Sequence, residues 1–323
     1  MIRSDDVKGL AAAARNALKS CMAVQPGETV LVVTDAGCRP IGEALFSAAG
    51  GLGCPGLLLE MPVAEGSGTE PPDPVAAAMK AAGVTICPTS KSITHTRARR
   101  EACAAGGRVA TMPGITADCM VRCLAADYER IAEVTHRVTA LLTRGKVAEL
   151  TCPNGTALTL PIGGIDGIAS TGLIREAGQG GNLPSGEGYL MPVEGATEGL
   201  LYVDGSMADV GVIEGAPLRI EIHAGRATDI TGFGADRLVA ALDAHGPRAR
   251  NVAELGVGTN DRARITGMVL EDEKVAGTVH VALGNNVGMG GTVDVPIHVD
   301  GVIRRPTLTI DGQVVVDGGR LVA

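Results

Sequence analysis

Residues 29–61 read TVLVVTDAGCRPIGEALFSAAGGLGCPGLLLEM, which is an apolar run, an alanine-rich stretch and a second apolar run. The β-branched run TVLVVTD (29–35) predicts a buried strand, and PGLLLEM (55–61) predicts another. Between them GEALFSAAGG (42–51) predicts a helix that closes on glycine, the residue favoured just after a helix end. A strand, a helix and a strand in this order predict two parallel neighbouring strands joined by a helical crossover.

The same alternation continues towards residue 145. VTICPT (84–89) and RVATMP (108–113) predict two more strands, and the intervening DPVAAAMKAAG and TRARREACAAG predict helices. A long amphipathic stretch, DYERIAEVTHRVTALLTRG (127–145), ends this pattern at Gly145. We therefore predict an α/β N-terminal domain over residues 1–145, with a doubly wound, mostly parallel sheet.

From Lys146 onwards the pattern changes to short alternating strands separated by Gly, Asn and Asp turns. CPNGT (152–156) and TIDGQVVV (309–316) contain the Asn-Gly and Asp-Gly pairs typical of two-residue hairpin turns. One helix is predicted near residues 235–245. Residues 146–323 are therefore predicted to form an α+β domain that is rich in antiparallel strands and carries the catalytic centre.

Composition restricts the classes of partner. The chain of 323 residues is 45% hydrophobic and 20% charged, and no apolar run reaches the length of a membrane span. Its N-terminus lacks the basic and apolar regions of a signal peptide, so a soluble, cytoplasmic protein is expected. A net charge of −8 and two per cent aromatic residues disfavour nucleic-acid binding, which needs clustered cations and stacking platforms.

Glu, His and Asp concentrate in four C-terminal segments beside Gly and Pro turns. These segments are GNLPSGEGYLMP (181–192), NVAELGVGTN (251–260), GTVHVALGNN (277–286) and IHVDG (297–301). In a strand, residues i and i+2 point to the same face, so His298 and Asp300 can bind one ion or two adjacent ions. Taken singly, each residue is more often structural, because a lone strand His is usually only hydrogen-bonded and a lone Glu usually caps a helix or faces solvent.

The order NLPSGE, AELGVGTN, LEDEKVAGTVHVALGNN and HVDG resembles the aminopeptidase T/S family of metalloproteases. The resemblance implies five metal ligands, which are Glu187, Glu254, His280, His298 and Asp300. It implies that Glu187, His280 and Asp300 hold one divalent ion, that Glu254 and His298 hold a second, and that Glu187 bridges the two. It also implies a homodimer.

The resemblance further implies hydrolysis of N-terminal residues from a small peptide or amide. Carboxylates with imidazoles suit zinc, cobalt or manganese, and two ions about 3.5 to 4 Å apart can hold a hydroxide between them. Glu254 or a neighbouring carboxylate would relay the proton.

One feature departs from the family pattern. Members commonly carry a Tyr several residues after the His of GTVHxALG, whereas the corresponding stretch here is NNVGMGG (285–291). An oxyanion donor is therefore absent or supplied from elsewhere. Tyr189, two residues from Glu187, is the candidate replacement, and packing is the competing role for it.

Three further functions remain open. The same superfamily contains ring-cleaving dioxygenases resembling 2,5-dihydroxypyridine 5,6-dioxygenase, which bind one Fe(II) through two His and one carboxylate. In those relatives the Glu of NLPxGE is lost and a His replaces the Glu of AELG. Because Glu187, Glu254 and His280 are all retained here, the dinuclear hydrolase is preferred. The chain could also be a hydrolase of small non-peptide amides, or a non-enzymatic paralogue that keeps the ligands for stability.

Overall fold

The computed structural model describes residues 4–322 of the chain, and the side chains of residues 8–322. The chain divides into two compact units, one formed by Met1–Glu129 with Gly172–Ser185 and the other by Arg130–Thr171 with Gly186–Ala323. The predicted boundary at Gly145 lies inside the second unit, just after a helix that begins at Tyr128.

The α-helices of the described residues are α1 (Ser4–Asn16), α2 (Arg39–Gly51), α3 (Asp73–Ala81), α4 (Arg97–Ala104), α5 (Ala117–Cys123), α6 (Tyr128–Arg144), α7 (Ala235–Asp243) and α8 (Val269–Asp272). A π-helical turn, Ala17–Cys21, continues α1, and 3-10 turns lie at Pro247–Arg250 and Val287–Met289. Among residues 4–322, no helix is both long enough and apolar enough to cross a membrane.

The strands are β1 (Val30–Thr34), β2 (Gly56–Glu60), β3 (Val84–Thr89), β4 (Arg108–Pro113), β5 (Val147–Thr151), β6 (Ala157–Pro161), β7 (Ile168–Ser170), β8 (Gly180–Asn182), β9 (Glu187–Leu190), β10 (Glu198–Val203), β11 (Ser206–Met207), β12 (Gly211–Val212), β13 (Leu218–His223), β14 (Arg226–Thr231), β15 (Val252–Gly258), β16 (Val279–Gly284), β17 (His298–Ile303), β18 (Thr307–Ile310), β19 (Gln313–Asp317) and β20 (Arg320–Leu321).

The first unit is built on a parallel sheet of five strands in the order β2-β1-β3-β4-β8. The four strands predicted from the apolar runs are present, and β1 lies between β2 and β3 in parallel register. Strands β1 and β3 are buried along their whole length, which is why they appear in the sequence as continuous apolar runs. The predicted doubly wound, mostly parallel sheet is confirmed.

The second unit contains two antiparallel sheets. One has eight strands in the order β14-β13-β10-β6-β5-β18-β19-β20, and the other has seven in the order β12-β11-β17-β16-β15-β9-β7. The two predicted hairpins are β5-β6, which turns at Asn154-Gly155, and β18-β19, which turns at Asp311-Gly312. The prediction that the C-terminal part is rich in antiparallel strands is confirmed.

The seven-stranded sheet has two chemically different faces. Side chains such as Leu255, Val257, Val281 and Leu283 point to one face and are buried in the apolar core of the second unit. The alternate residues of the same strands point to the opposite face. That opposite face carries the predicted ligands, so the core behind the sheet holds their backbone rigidly in place.

Candidate metal centre

Strand register brings all of the predicted site residues to one face of the seven-stranded sheet. Gly258 on β15 pairs with Glu187, and Gly256 pairs with both Tyr189 and His280. Ala282 on β16 pairs with Glu254 on one side and with Asp300 on the other, while Gly284 pairs with His298. Directly paired residues project to the same face of a sheet. The residues that share this face are Glu187, Tyr189, Glu254, His280, His298 and Asp300.

Gly256 makes room for the imidazole of His280. A Cβ added at Gly256 would lie 2.0 Å from Nε2 of His280, so the ring lies directly over the backbone of β15. Any larger residue at position 256 would displace this ring. The Gly of AELG is therefore part of the site, because it lets an imidazole on β16 reach across β15.

Glu254 lies between the two imidazoles. Its Oε1 is 3.1 Å from Nε2 of His280, and its Oε2 is 3.4 Å from Nε2 of His298. Nε2 of His298 also lies 3.6 Å from Oδ1 of Asp300. On the other side, Nε2 of His280 lies 3.6 Å from Oε2 of Glu187. Glu254 thus joins two parts of one continuous cluster.

Within this cluster, two groups of three residues could each hold a metal ion. One consists of Glu187, Glu254 and His280, and the other of Glu254, His298 and Asp300; within each group the ligand atoms lie within 4.8 Å of one another. This grouping differs from the one that the aminopeptidase resemblance implies. Asp300 lies with Glu254 and His298 rather than with His280, and Glu254 rather than Glu187 is common to both groups. The binding of two ions stays a prediction.

Two carboxylate oxygens at the centre have no hydrogen-bond donor. Oε2 of Glu187 and Oδ1 of Asp300 are buried and accept no hydrogen bond, and the imidazole nitrogens of His280 and His298 lie 3.6 Å from them, beyond hydrogen-bond distance. Burying an ionised oxygen without a partner is costly, and a cation is the usual means of compensation. Carboxylate oxygens and imidazole nitrogens are ligands that divalent transition metals accept. The residues therefore fit a metal ion.

The electrostatics of the cluster favour the charged forms of Glu254, His280 and His298, whereas burial raises the pKa of Glu187. Burial on its own would raise the pKa of Glu254, but hydrogen bonds from His280 and His298 hold it far below its ordinary value. Burial would lower the pKa of His280, yet the hydrogen bond to Glu254 and the charge of Glu187 raise it to about 9. The pKa of His298 is also raised, because Asp300 and Glu254 outweigh its burial. Without a metal ion, protons occupy the imidazoles.

Lys274 belongs to the centre but was not predicted. Its side chain is 1% exposed, and Nζ lies 2.5 Å from Oε1 of Glu187 and also contacts Oε1 of Glu273. Burial raises the pKa of Glu273 to about 8 against the opposing charge of Lys274. A lysine in the acidic sequence LEDEK is typical of a solvated surface, so only its position just before β16 could have suggested this role.

The centre opens at His298, and Tyr189 lies on the same sheet face. The side chain of His298 is 33% exposed, whereas that of His280 is fully buried. Nδ1 of His298 lies 2.8 Å from the backbone oxygen of Asn285, which leaves Nε2 of the same ring facing Glu254 and Asp300. Burial and the charges of Glu187 and Glu254 raise the pKa of the Tyr189 phenol, so it stays protonated.

Comparison with known proteins identifies similar sequences and folds. A family model described as 2,5-dihydroxypyridine 5,6-dioxygenase (NicX) matches residues 9–323. A curated 2,5-dihydroxypyridine 5,6-dioxygenase of Pseudomonas putida KT2440 is 26% identical over an alignment of 196 residues that covers 57% of this chain and 56% of that protein. The alignment thus spans little more than half the length of that relative.

Two solved structures share the fold. The 2,5-dihydroxypyridine dioxygenase from Pseudomonas putida KT2440 has a TM-score of 0.83 at 21% identity, and 97% of each chain is covered. Wild-type AmpT from Thermus thermophilus has a TM-score of 0.71 at 16% identity, covering 98% of this chain and 99% of that one. The similarity to aminopeptidase T therefore holds at the level of the fold.

The predicted metallo-aminopeptidase is wrong. The family model that matches nearly the whole chain describes a dioxygenase rather than a hydrolase, and so does the curated relative. The preference for a hydrolase rested on the retention of Glu187, Glu254 and His280. Those residues indicate that the chain can bind a metal ion, but they do not identify the reaction, because the same ligand types occur in both hydrolytic and oxidative centres.

Proposed function

The chain belongs to the 2,5-dihydroxypyridine 5,6-dioxygenase (NicX) family, and from this premise we propose that it is an Fe(II)-dependent ring-cleaving dioxygenase. Its substrate would be a dihydroxylated pyridine or a closely related hydroxylated ring. The observation that carries the proposal is the group formed by Glu254, His298 and Asp300 at the open end of the cluster, in which Oδ1 of Asp300 is buried and accepts no hydrogen bond. An iron there would be accessible to both oxygen and substrate.

Glu254, His298 and Asp300 would hold the iron. Oxygen-activating Fe(II) enzymes commonly use two His and one carboxylate on one side of the metal and leave the remaining positions open. Here a carboxylate stands in place of one imidazole, and His280 lies 3.1 Å from the other oxygen of that carboxylate. Bound Fe(II) would supply the one-electron chemistry that allows dioxygen to react with an aromatic ring.

Residues of the chain would orient the substrate by complementary hydrogen bonding. In the metal-free site, hydrogen bonds from His280 and His298 keep the pKa of Glu254 low, and a bound cation would likewise keep Glu254 ionised, so its carboxylate can accept a hydrogen bond from a ring hydroxyl. Tyr189 stays protonated because its pKa is raised, so it can donate one. An acceptor and a donor on one face of a sheet fit a ring that carries hydroxyl and carbonyl groups.

For 2,5-dihydroxypyridine the proposed reaction breaks the bond between ring carbons 5 and 6. One oxygen atom would appear in a carboxylic acid at carbon 5, and the other in a formyl group on the ring nitrogen. Both atoms of one dioxygen molecule are incorporated, so no external reductant is needed.

The test is oxygen uptake by the iron-loaded protein. Metal-free protein would be loaded anaerobically with Fe(II), mixed with 2,5-dihydroxypyridine and exposed to isotopically labelled oxygen. We expect loss of ring absorbance, equimolar oxygen consumption and two labelled atoms in the product. His298→Ala and Zn(II)-loaded protein serve as controls that should consume no oxygen.

A negative result would be decisive if iron is bound. Wild-type protein that holds Fe(II) yet consumes no oxygen with 2,5-dihydroxypyridine, or with other dihydroxylated pyridines and benzenes, would refute the dioxygenase.

A further inference from the structure

The segment 285–297 connects β16 to β17 and sets the orientation of His298. The backbone oxygen of Asn285 accepts a hydrogen bond from Nδ1 of His298 at 2.8 Å. With Nδ1 protonated, the lone pair of Nε2 is available on the side of Glu254 and Asp300. The position of this one carbonyl therefore determines which ring nitrogen can bind a metal ion.

Little regular structure fixes this segment. Apart from the 3-10 turn Val287–Met289, it is an irregular loop with an exposed tip, where Val287 is 47% exposed. Backbone bonds close its base, from the amide of Asn285 to the oxygen of Ile297 at 2.8 Å and from the amide of Asn286 to the oxygen of Val293 at 3.2 Å. An irregular loop with an exposed tip needs further contacts to hold a carbonyl in place.

Two side chains outside the loop provide such contacts. Arg248 donates a hydrogen bond to the backbone oxygen of Thr292, and the carboxylate of Glu194 accepts three hydrogen bonds from the loop. Oε1 of Glu194 accepts hydrogen bonds from Nδ2 of Asn286 at 2.8 Å and from the amide of Thr292 at 2.6 Å. Its Oε2 accepts one from the hydroxyl of Thr292 at 2.7 Å. Three donors from two residues of the loop, Asn286 and Thr292, thus converge on Glu194, and these bonds lower its pKa.

Asn286 links Glu194 to Asn285, the neighbouring residue whose backbone oxygen contacts His298. It is fully buried, and its Oδ1 accepts the amide of Val293 at 2.9 Å. A Cβ added at Gly291 would lie 2.1 Å from Cγ of Asn286, so the loop closes tightly around this amide. Asn285, the immediate neighbour of Asn286, is held by this anchor together with its own side chain, whose Nδ2 donates to Oδ1 of Asp294 at 3.2 Å and to the backbone oxygen of Val295 at 2.9 Å.

We propose that Glu194 is a positioning residue for metal binding, because it anchors the loop whose Asn285 carbonyl fixes the tautomer and direction of His298. This inference rests on the proposed function, since it takes His298 as a metal ligand. It concerns affinity for the ion, however, and not the reaction that the ion supports. Contacts that orient a ligating histidine commonly change metal affinity by roughly tenfold to a hundredfold.

The experiment compares Glu194→Ala with a matched control, Glu198→Ala. The carboxylate of Glu198 also accepts hydrogen bonds, one from the backbone amide of Ala224 at 2.8 Å and one from the imidazole of His223 at 3.0 Å. Glu198, however, lies in the eight-stranded sheet and not in the sheet that carries the metal centre. The dissociation constant for Zn(II) would be measured by competition with a chelator. We expect Glu194→Ala to bind Zn(II) roughly tenfold more weakly, and Glu198→Ala to match the wild type.

A spectroscopic readout separates positioning from general destabilisation. With nitrogen-labelled histidine, the Nδ1 proton of His298 should give a slowly exchanging downfield signal in the wild type. That signal should be lost or broadened in Glu194→Ala while the circular dichroism spectrum is unchanged. Glu194→Gln keeps one acceptor oxygen and should restore part of the affinity; if the alanine variant does not fold, Glu194→Gln and Thr292→Val carry the comparison.

The outcomes distinguish this inference from the function on which it rests. Equal Zn(II) affinity and an unchanged His298 signal in Glu194→Ala would overturn the role of Glu194 alone. Wild-type protein that binds no metal ion would overturn both. Wild-type protein that binds Zn(II) through an anchored His298 but cleaves no ring would overturn only the dioxygenase.

Discussion

Lys274 shows how one buried charge determines the state of its neighbours. It is the largest fully buried side chain among the described residues, and its ammonium contacts both Glu187 and Glu273. Two carboxylates buried together would repel one another without a cation between them. Lys274 supplies that cation from the chain itself, whether or not a metal ion is bound.

Lys274→Met is expected to destabilise the metal-free protein by about 3 to 5 kcal/mol, because it leaves buried carboxylates without their partner. Methionine keeps the length of the side chain, so the loss reports charge rather than packing. Urea unfolding followed by circular dichroism measures the effect. Lys80→Met is the control, since Lys80 only forms an exposed ion pair with Glu101 at 3.9 Å. A loss of less than about 1 kcal/mol for Lys274→Met would show that the ion pairs contribute little.

The convergence of these residues on one sheet face was predictable from the sequence, whereas the preferred reaction was wrong and the comparisons favour the alternative, the dioxygenase. Spacing in one strand indicated that His298 and Asp300 share a face, and the motif order added Glu187, Glu254 and His280. Lys274 was missed because a charged residue beside other charges usually lies at the surface. The absence of Tyr from NNVGMGG was the one signal against a peptidase. Because the family model describes a dioxygenase, this absence was a better guide to the reaction than the retained ligands were.

At the scale of the strand, β15 supports the centre through a residue without a side chain. Gly256 lies between Tyr189 and His280 in the register of the sheet, and its missing Cβ is the space that the imidazole fills. A glycine inside a strand usually weakens it, so its presence in a buried central strand indicates a close approach by another group.

Gly256→Ala is expected to displace His280 and to lower Zn(II) affinity about tenfold or more, with an overpacking cost of roughly 1 to 3 kcal/mol. Chelator competition measures the affinity, and urea unfolding measures the stability. Gly83→Ala is the matched control, because a Cβ at Gly83 meets nothing within 4 Å. If Gly256→Ala bound Zn(II) as tightly as the wild type, His280 would not contribute to the metal site.

The elements that the sequence predicted best are those with a strong local pattern. Buried runs such as VTICPT correspond to β3 over the whole predicted range, Val84–Thr89. Strand β8, Gly180–Asn182, was not predicted, because three residues of Gly and Asn have low strand propensity. Strand β8 pairs in parallel with β4, which is distant in sequence, so β8 forms only where β4 provides the edge of the assembled sheet. Such a strand depends on tertiary contacts rather than on its own composition.

At the scale of the whole molecule, the fold does not determine the reaction. This chain has the fold of both a dihydroxypyridine dioxygenase and AmpT, with TM-scores of 0.83 and 0.71. Function therefore depends on the side chains on one sheet face, and not on the sheet itself. The homodimer implied by the resemblance stays a prediction.

The titrating groups of the centre make the stability of the metal-free molecule depend on pH. The pKa of His280 is raised from 6.5 to about 9, so its contribution is fully present below the unfolded value of 6.5 and is lost as pH rises through about 9. Glu273, raised from 4.5 to about 8, acts in the same direction, because its folded form keeps a proton that the unfolded form releases. Metal-free protein should therefore become less stable between neutral pH and about pH 9.

A bound ion should reverse this trend, because it takes the place of the protons on the imidazoles. The affinity for Zn(II) rises as His280 and His298 lose their protons. A ligand that binds only the folded state stabilises that state, and the stabilisation grows with the logarithm of the ratio of ligand concentration to dissociation constant. The melting temperature with Zn(II), minus that without, should therefore increase from about pH 7 to about pH 9. Calorimetry at fixed Zn(II) and protein concentrations measures it, and His298→Ala should show a much smaller increase. A difference that stayed constant or fell with pH would mean that protons and metal ions do not compete for these histidines.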